Sequence, residues 1–214
     1  MTEAEWLAGD PLCMWNILGS SMSVRKYRLM LCAWLGGEQF PDARSRAAVV
    51  LAERFADGLA TDAEREQAQE AAEQAHQRWR AEGDDWNSYL TGAASNVAKV
   101  FNMKQLARQW ANGLAYIRQQ GHSPQRDPVY SARIRDIFGN PFRPVMFLPQ
   151  WRTSTAVGLA KGMYESRNFD AMPILADALQ DAGCDNDDIL NHCRDAKGTH
   201  VRGCWVVDLV LGKE

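Results

Sequence analysis

Residues 183–212 read GCDNDDILNHCRDAKGTHVRGCWVVDLVLG, and this stretch decides the fold. Its apolar end, VRGCWVVDLVL (201–211), is either a buried terminal helix or a central strand, and periodicity alone does not separate the two in so short a run. Gly212 directly after it suits the left-handed stop of a helix, so the helix is the expectation. Gly183 is the matching stop of a preceding helix. Asp185 reads as the N-cap of the next, with Asp187 and Asp188 in its first turn, where negative charge meets the exposed N–H groups. Helical spacing then puts Ile189 and Cys193 on one face and Asp188 four residues before His192.

The wider composition is that of an ordinary globular protein of 214 residues, 46% hydrophobic and 24% charged. A formal charge of -3 names neither nucleic acid nor membrane as a partner. Five cysteines follow no small-scaffold spacing, and the acidic opening MTEAEWLAGD lacks the basic and apolar parts of a leader. A cytoplasmic protein with reduced thiols is expected. No apolar run approaches the roughly 18 residues of a membrane-spanning helix.

Moving outward, the chain reads as a single helical domain over 1–214, all-α, with nine or ten helices. A sub-division into an acidic part, 1–85, and a basic and C-terminal part, 86–214, is a further expectation. Residues 42–85 hold eleven acids and six basic residues, whereas 86–152 hold nine basic residues and two acids. Asp10 before Pro11 and Ser23 are helix starts, and Arg25, Lys26 and Arg28 form the charged, solvated side of the helix after Ser23. Between Asp42 and Leu59 lies a helix with Ala47, Val50, Leu51, Arg54 and Phe55 at helical spacing. Thr61 and Glu64 form a capping box opening an alanine-rich helix. A long helix follows from about 96 to 119, then a short one from Asp127 and Pro128 to Gly139. NPFRPVMFLPQW (140–151) has three prolines in nine residues and reads as an extended strap held by Phe142, Val145, Phe147 and Trp151. Helices over 154–165 and 171–182, the latter capped by Asp170, lead back to the opening stretch.

Three chemistries are open. Cys184, His192, Cys193, His200 and Cys204 are ligands of the kind that hold zinc, although no CxxC is present and Cys193 falls on an apolar helix face. A thiol enzyme would pair Cys193 or Cys204 with His192 or His200, and with Asp188 or Asp208 as orienting group. The alternative for these residues is an exposed Asp188–His192 pair with both thiols packed in the core. Basic residues among aromatics, with Lys104, Arg108, Arg133 and Arg135 as the candidate contacts, are what a single-stranded nucleic acid uses. Asp208 within WVVDLVL needs a partner, and Arg143 and Arg202 are the candidates.

The strings RDIFGNPFRPV (135–145), FDAMPILADALQDAGC (169–184), DILNHCR and HVRGCWVVDLVLGKE, with the opening MTEAEWL, resemble those of an uncharacterised bacterial protein family. That family has no assigned activity or cofactor, so the resemblance implies a shared fold and no chemistry. Its members carry a cysteine cluster followed by arginines after the first basic helix, where this chain has LMLCAWLGGE and Cys32 alone. With no catalytic motif in view, the expected function is a protein–protein interaction or accessory module without cofactor or catalytic activity. Phe142, Arg143, Phe147 and Trp151 are its candidate contacts to an unidentified protein partner. Binding of nucleic acid through 86–152, and a Cys/His metal site or thiol enzyme at the C-terminal end, are the alternatives.

Overall fold

Capping residues and glycines set the helix ends. Thr2, Ser23, Asp42, Thr61, Asp84, Thr153 and Asn186 each accept a backbone N–H of a first helical turn. The computed structural model describes residues 2–18, 23–99, 113, 123–195 and 197–213. Among these there are eleven α-helices and no strand, so the chain is all-α: α1 (Glu3–Ala8), α2 (Pro11–Leu18), α3 (Val24–Leu35), α4 (Ala43–Ala56), α5 (Asp62–Ala81), α6 (Asp85–Val97), α7 (Ser123–Phe138), α8 (Ser154–Ser166), α9 (Met172–Asp181), α10 (Asp187–Arg194) and α11 (Trp205–Leu211). The apolar end of the opening stretch is therefore a helix, stopped at Gly212 with φ 66°. No described helix is long and apolar enough to cross a membrane.

Two units emerge, and they do not follow the change in charge at residue 85. A terminal unit comprises Met1–Leu18 and Arg118–Glu214, and a central unit comprises Gly19–Ile117. Helix α6, first of the basic part, packs on the acidic α4 and α5 because both present small residues to it: Ala48 and Ala52 from α4, Ala72 and Ala75 from α5, and Ala94 from α6 are all fully buried.

In the central unit α4 turns a different face inward from the expected one. Ser45, Ala48, Val49 and Ala52 are buried, while Ala47 and Val50 are exposed, since close packing on α5 selects the small residues. Arg28, expected on a solvated side, is 6% exposed. Its guanidinium donates to the carbonyls of Val97 and Lys99. Arg65 donates to the carbonyl of Ala98 at 2.9 Å, and both guanidinium groups lie over Phe55, at 5.2 and 5.5 Å. Two buried cations thus satisfy the carbonyls left open at the end of α6. The helix expected over 96–119 falls mostly outside the described residues.

In the terminal unit a core of Trp151, Met163, Tyr164, Leu175, Leu179, Ile189 and Val207, with their neighbours, joins α8 to α11. Helix α7 begins at Ser123, and Pro128, read as its start, lies inside it. Helix α9 is capped at Ala171 without a side-chain bond and α10 at Asn186, one residue beyond Asp170 and Asp185 respectively. The strap is irregular up to a single 3-10 turn, Pro149–Trp151. Trp151, at 3% exposed, anchors it, with the Phe147 ring edge-on at 5.3 Å. Arg152 then donates twice to the carbonyl of Leu209 in α11, at 3.1 and 3.0 Å. Phe142 is not an anchor: it is 40% exposed, because Pro141 and Phe142 form a turn on the surface.

Candidate metal centre

Four side chains of the terminal unit converge, each from a different place in the chain. Asp136 comes from the last turn of α7, His192 from α10, His200 from the connection after it, and Cys204 caps α11. Between His200 and Cys204 the backbone closes a turn in which Cys204 N–H donates to the Val201 carbonyl at 2.9 Å. Gly203 makes the turn possible with φ 94°, a conformation that costs glycine little.

The ligand atoms lie within 4.8 Å of one another. His192 Nε2 is 3.2 Å from both Cys204 Sγ and Asp136 Oδ1, and His200 Nδ1 is 2.9 Å from the same Oδ1. Bonds of about 2.0 to 2.3 Å around a tetrahedral zinc place ligand atoms roughly 3.3 to 3.7 Å apart, so a small contraction or expansion of each edge would seat an ion. The second oxygen, Asp136 Oδ2, accepts the Val201 N–H at 2.8 Å, which orients the carboxylate from outside the cluster. The two imidazoles meet edge to face at 4.9 Å, and the Trp205 ring stands 5.2 Å from His192.

Electrostatics favour a cation here. Burial pushes the Asp136 carboxyl up, but hydrogen bonds from His192 and His200 outweigh burial and hold it below the usual carboxylate range. Burial and the nearby Asp136 charge push the Cys204 thiol well above its ordinary value, although the N–H groups of Val207 and Val206 at the start of α11 pull the other way. Cys204 is fully buried. A divalent ion would supply the charge that ionises this thiol, and one carboxylate plus one thiolate would cancel an ionic charge of +2 in a site with little water.

Of the five residues singled out as metal ligands, His192, His200 and Cys204 meet. Cys184 and Cys193 do not join them; both are buried in the apolar core, and burial raises both thiols, that of Cys193 to about 12. The fourth residue of the cluster, Asp136, gives no signal in the sequence, since it lies 64 residues from His200. The acid that approaches a thiol and a histidine is thus Asp136 rather than Asp188 or Asp208. Asp188 pairs with Arg143 at 3.5 Å instead of with His192, and Arg143 also holds Glu3. Asp208 is buried, and Arg202 lays its guanidinium 4.7 Å from the Tyr164 ring centre.

The other candidates are not gathered into a site. Trp151 is buried, so it presents no surface to a partner, and Phe147 is half-buried against it. Arg135 packs against α1, its Nη1 3.5 Å from the Trp6 carbonyl, and Arg133 is half-buried on the same helix; Lys104 and Arg108 lie outside the described residues. All five cysteines are free thiols. No protein family, curated protein or solved structure matches this chain.

Proposed function

We propose that the chain is a zinc-binding helical module in which the ion is structural, and that it acts as an accessory or interaction protein rather than an enzyme. The convergence of Asp136, His192, His200 and Cys204 carries this reading. Four protein ligands fill a tetrahedral shell and leave no position for water or substrate, which is the pattern of structural rather than catalytic zinc. A mixed nitrogen, oxygen and sulfur set with net charge -2 suits zinc better than magnesium or calcium, which take oxygen ligands.

Burial of Cys204 counts against a thiol nucleophile, which needs access to its substrate. Exposed Phe142 and Met146, on the surface of the strap, support contact with a protein partner. Five thiols outside any disulfide support a reducing compartment, the cytoplasm. The test is elemental analysis of protein purified without an affinity tag, with one zinc per chain expected. Cobalt exchanged into the site should give the visible bands of a tetrahedral ion with a sulfur-to-metal transition, and Cys204→Ser should remove that transition. Zinc-free protein that takes up no cobalt would overturn the proposal.

A further inference from the structure

A second site lies in the central unit and is independent of the metal centre. There a cavity of about 230 Å³ opens between α3, α5 and α6. Helical spacing builds its walls: Tyr27, Leu31 and Trp34 recur three or four residues apart on α3, and Ser88, Gly92 and Asn96 four apart on α6. His76 adds a wall from α5. The Tyr89 ring, also in the lining, is held by two others, Trp86 stacked at 5.8 Å and Trp34 edge-on at 6.4 Å. Among the described residues no Asp, Glu, Lys or Arg lines the cavity.

Two polar groups of the lining have hydrogen-bonding capacity to spare. His76 Nδ1 lies 2.8 Å from the Ser88 carbonyl, which can only accept, so the hydrogen sits on Nδ1 and Nε2 of the neutral ring offers a lone pair. Gly92 lets the imidazole approach α6 this closely: a methyl group there would stand 3.0 Å from both Cε1 and Nδ1. Asn96 Oδ1 accepts from the Lys99 ammonium at 3.0 Å, which fixes the orientation of the amide and leaves Nδ2 as a donor. The Lys99 charge is itself balanced by Glu73 at 3.6 Å. No described group bonds His76 Nε2 or Asn96 Nδ2, so a lining dominated by aromatic and aliphatic groups holds one open acceptor and one open donor.

We infer that this cavity binds a small neutral aromatic amide. Its ring would lie against Trp34 and Tyr89, its amide N–H would donate to His76 Nε2, and its carbonyl would accept from Asn96 Nδ2. A volume below the roughly 300 to 1,000 Å³ of drug-sized sites selects a single ring or two fused ones. An ionised ligand is disfavoured, because this lining has no opposite charge to meet it.

Isothermal titration of the full chain with benzamide tests this. Saturable binding is expected. N,N-dimethylbenzamide, which keeps the ring and carbonyl but has no N–H, and benzoate, which is charged, should each bind at least about tenfold more weakly. Ala93→Phe puts a ring into the cavity from α6 and should abolish binding. Asn96→Asp keeps an acceptor for Lys99 and removes the donor, so it should weaken benzamide at least about tenfold with helix content by circular dichroism unchanged. Wild-type protein that binds no benzamide, or that binds the dimethyl compound equally well, overturns the inference, as does Asn96→Asp protein of wild-type affinity. Zinc uptake should be the same in both variants, so failure here leaves the zinc reading standing.

Discussion

The two units differ in what they gather around their buried polar groups. In the central unit Arg28 and Arg65 are almost fully buried, and what they meet is neutralising: the carbonyls of Val97, Ala98 and Lys99, the face of Phe55, and, for Arg65, the carboxylates of Asp62 and Glu66. The terminal unit also buries a cation, Arg202, over the Tyr164 ring, but it gathers four Lewis bases, one acid, one thiol and two imidazoles, into a single crowded cluster. Cations spent on helix carbonyls leave nothing for a ligand. Lewis bases gathered in one place have lone pairs to offer a cation, so charge type and not burial alone separates a packing device from a candidate binding site.

Five measurements would break or sharpen that contrast. Trp151→Ala should have the largest effect, about 3 to 5 kcal/mol, through lost burial and a cavity in the terminal core. The exposed Phe142→Ala should cost no more than about 0.5 kcal/mol, and equal urea midpoints for the two variants would contradict the anchoring described here. Next comes zinc. At free zinc a thousandfold above its dissociation constant, the ion adds about 4 kcal/mol to the state that binds it. Chelation should therefore lower the hydrogen-exchange protection of α10 and α11 and leave α4 and α5 unchanged. A uniform loss across both units would mean that the ion does not act locally.

Within the central unit, Arg28→Ala should cost about 1 to 3 kcal/mol because it strands the carbonyls of Val97 and Lys99, and this loss should not respond to zinc. A smaller effect than at Arg28 is expected at Thr61→Ala, about 1 kcal/mol by removal of the N-cap of α5. The backbone N–H of Thr61 and then its hydroxyl hold the Glu64 carboxyl below its usual range. With the folded pKa depressed, the carboxylate half of the box stabilises above the unfolded value near 4.3 and is lost as pH falls through the lower folded value. Circular dichroism during acid titration, wild type against Glu64→Gln, follows that loss; a difference that persisted below the folded value would sink it.

Much of this was legible in the sequence wherever the physics is local. The Thr61–Glu64 box, the Ser23 and Asp10 starts, and the stops at Gly139, Gly183 and Gly212 each involve partners within about one helical turn, so the sequence by itself determined an all-α chain and most of its helix ends. Tertiary structure decided what depends on distant partners. Which face of α4 is buried follows from the alanines of α5, and Arg28 is buried because the end of α6, some seventy residues on, needs donors. Among five soft ligands within one stretch, only packing selected His192, His200 and Cys204 and sent Cys184 and Cys193 into the core. Asp136 stands in the string RDIFGNPFRPV as one more polar helix residue. Its role exists only because α7 brings it against a loop 64 residues away, where burial makes a carboxylate costly unless imidazoles, a backbone N–H or a cation answer it.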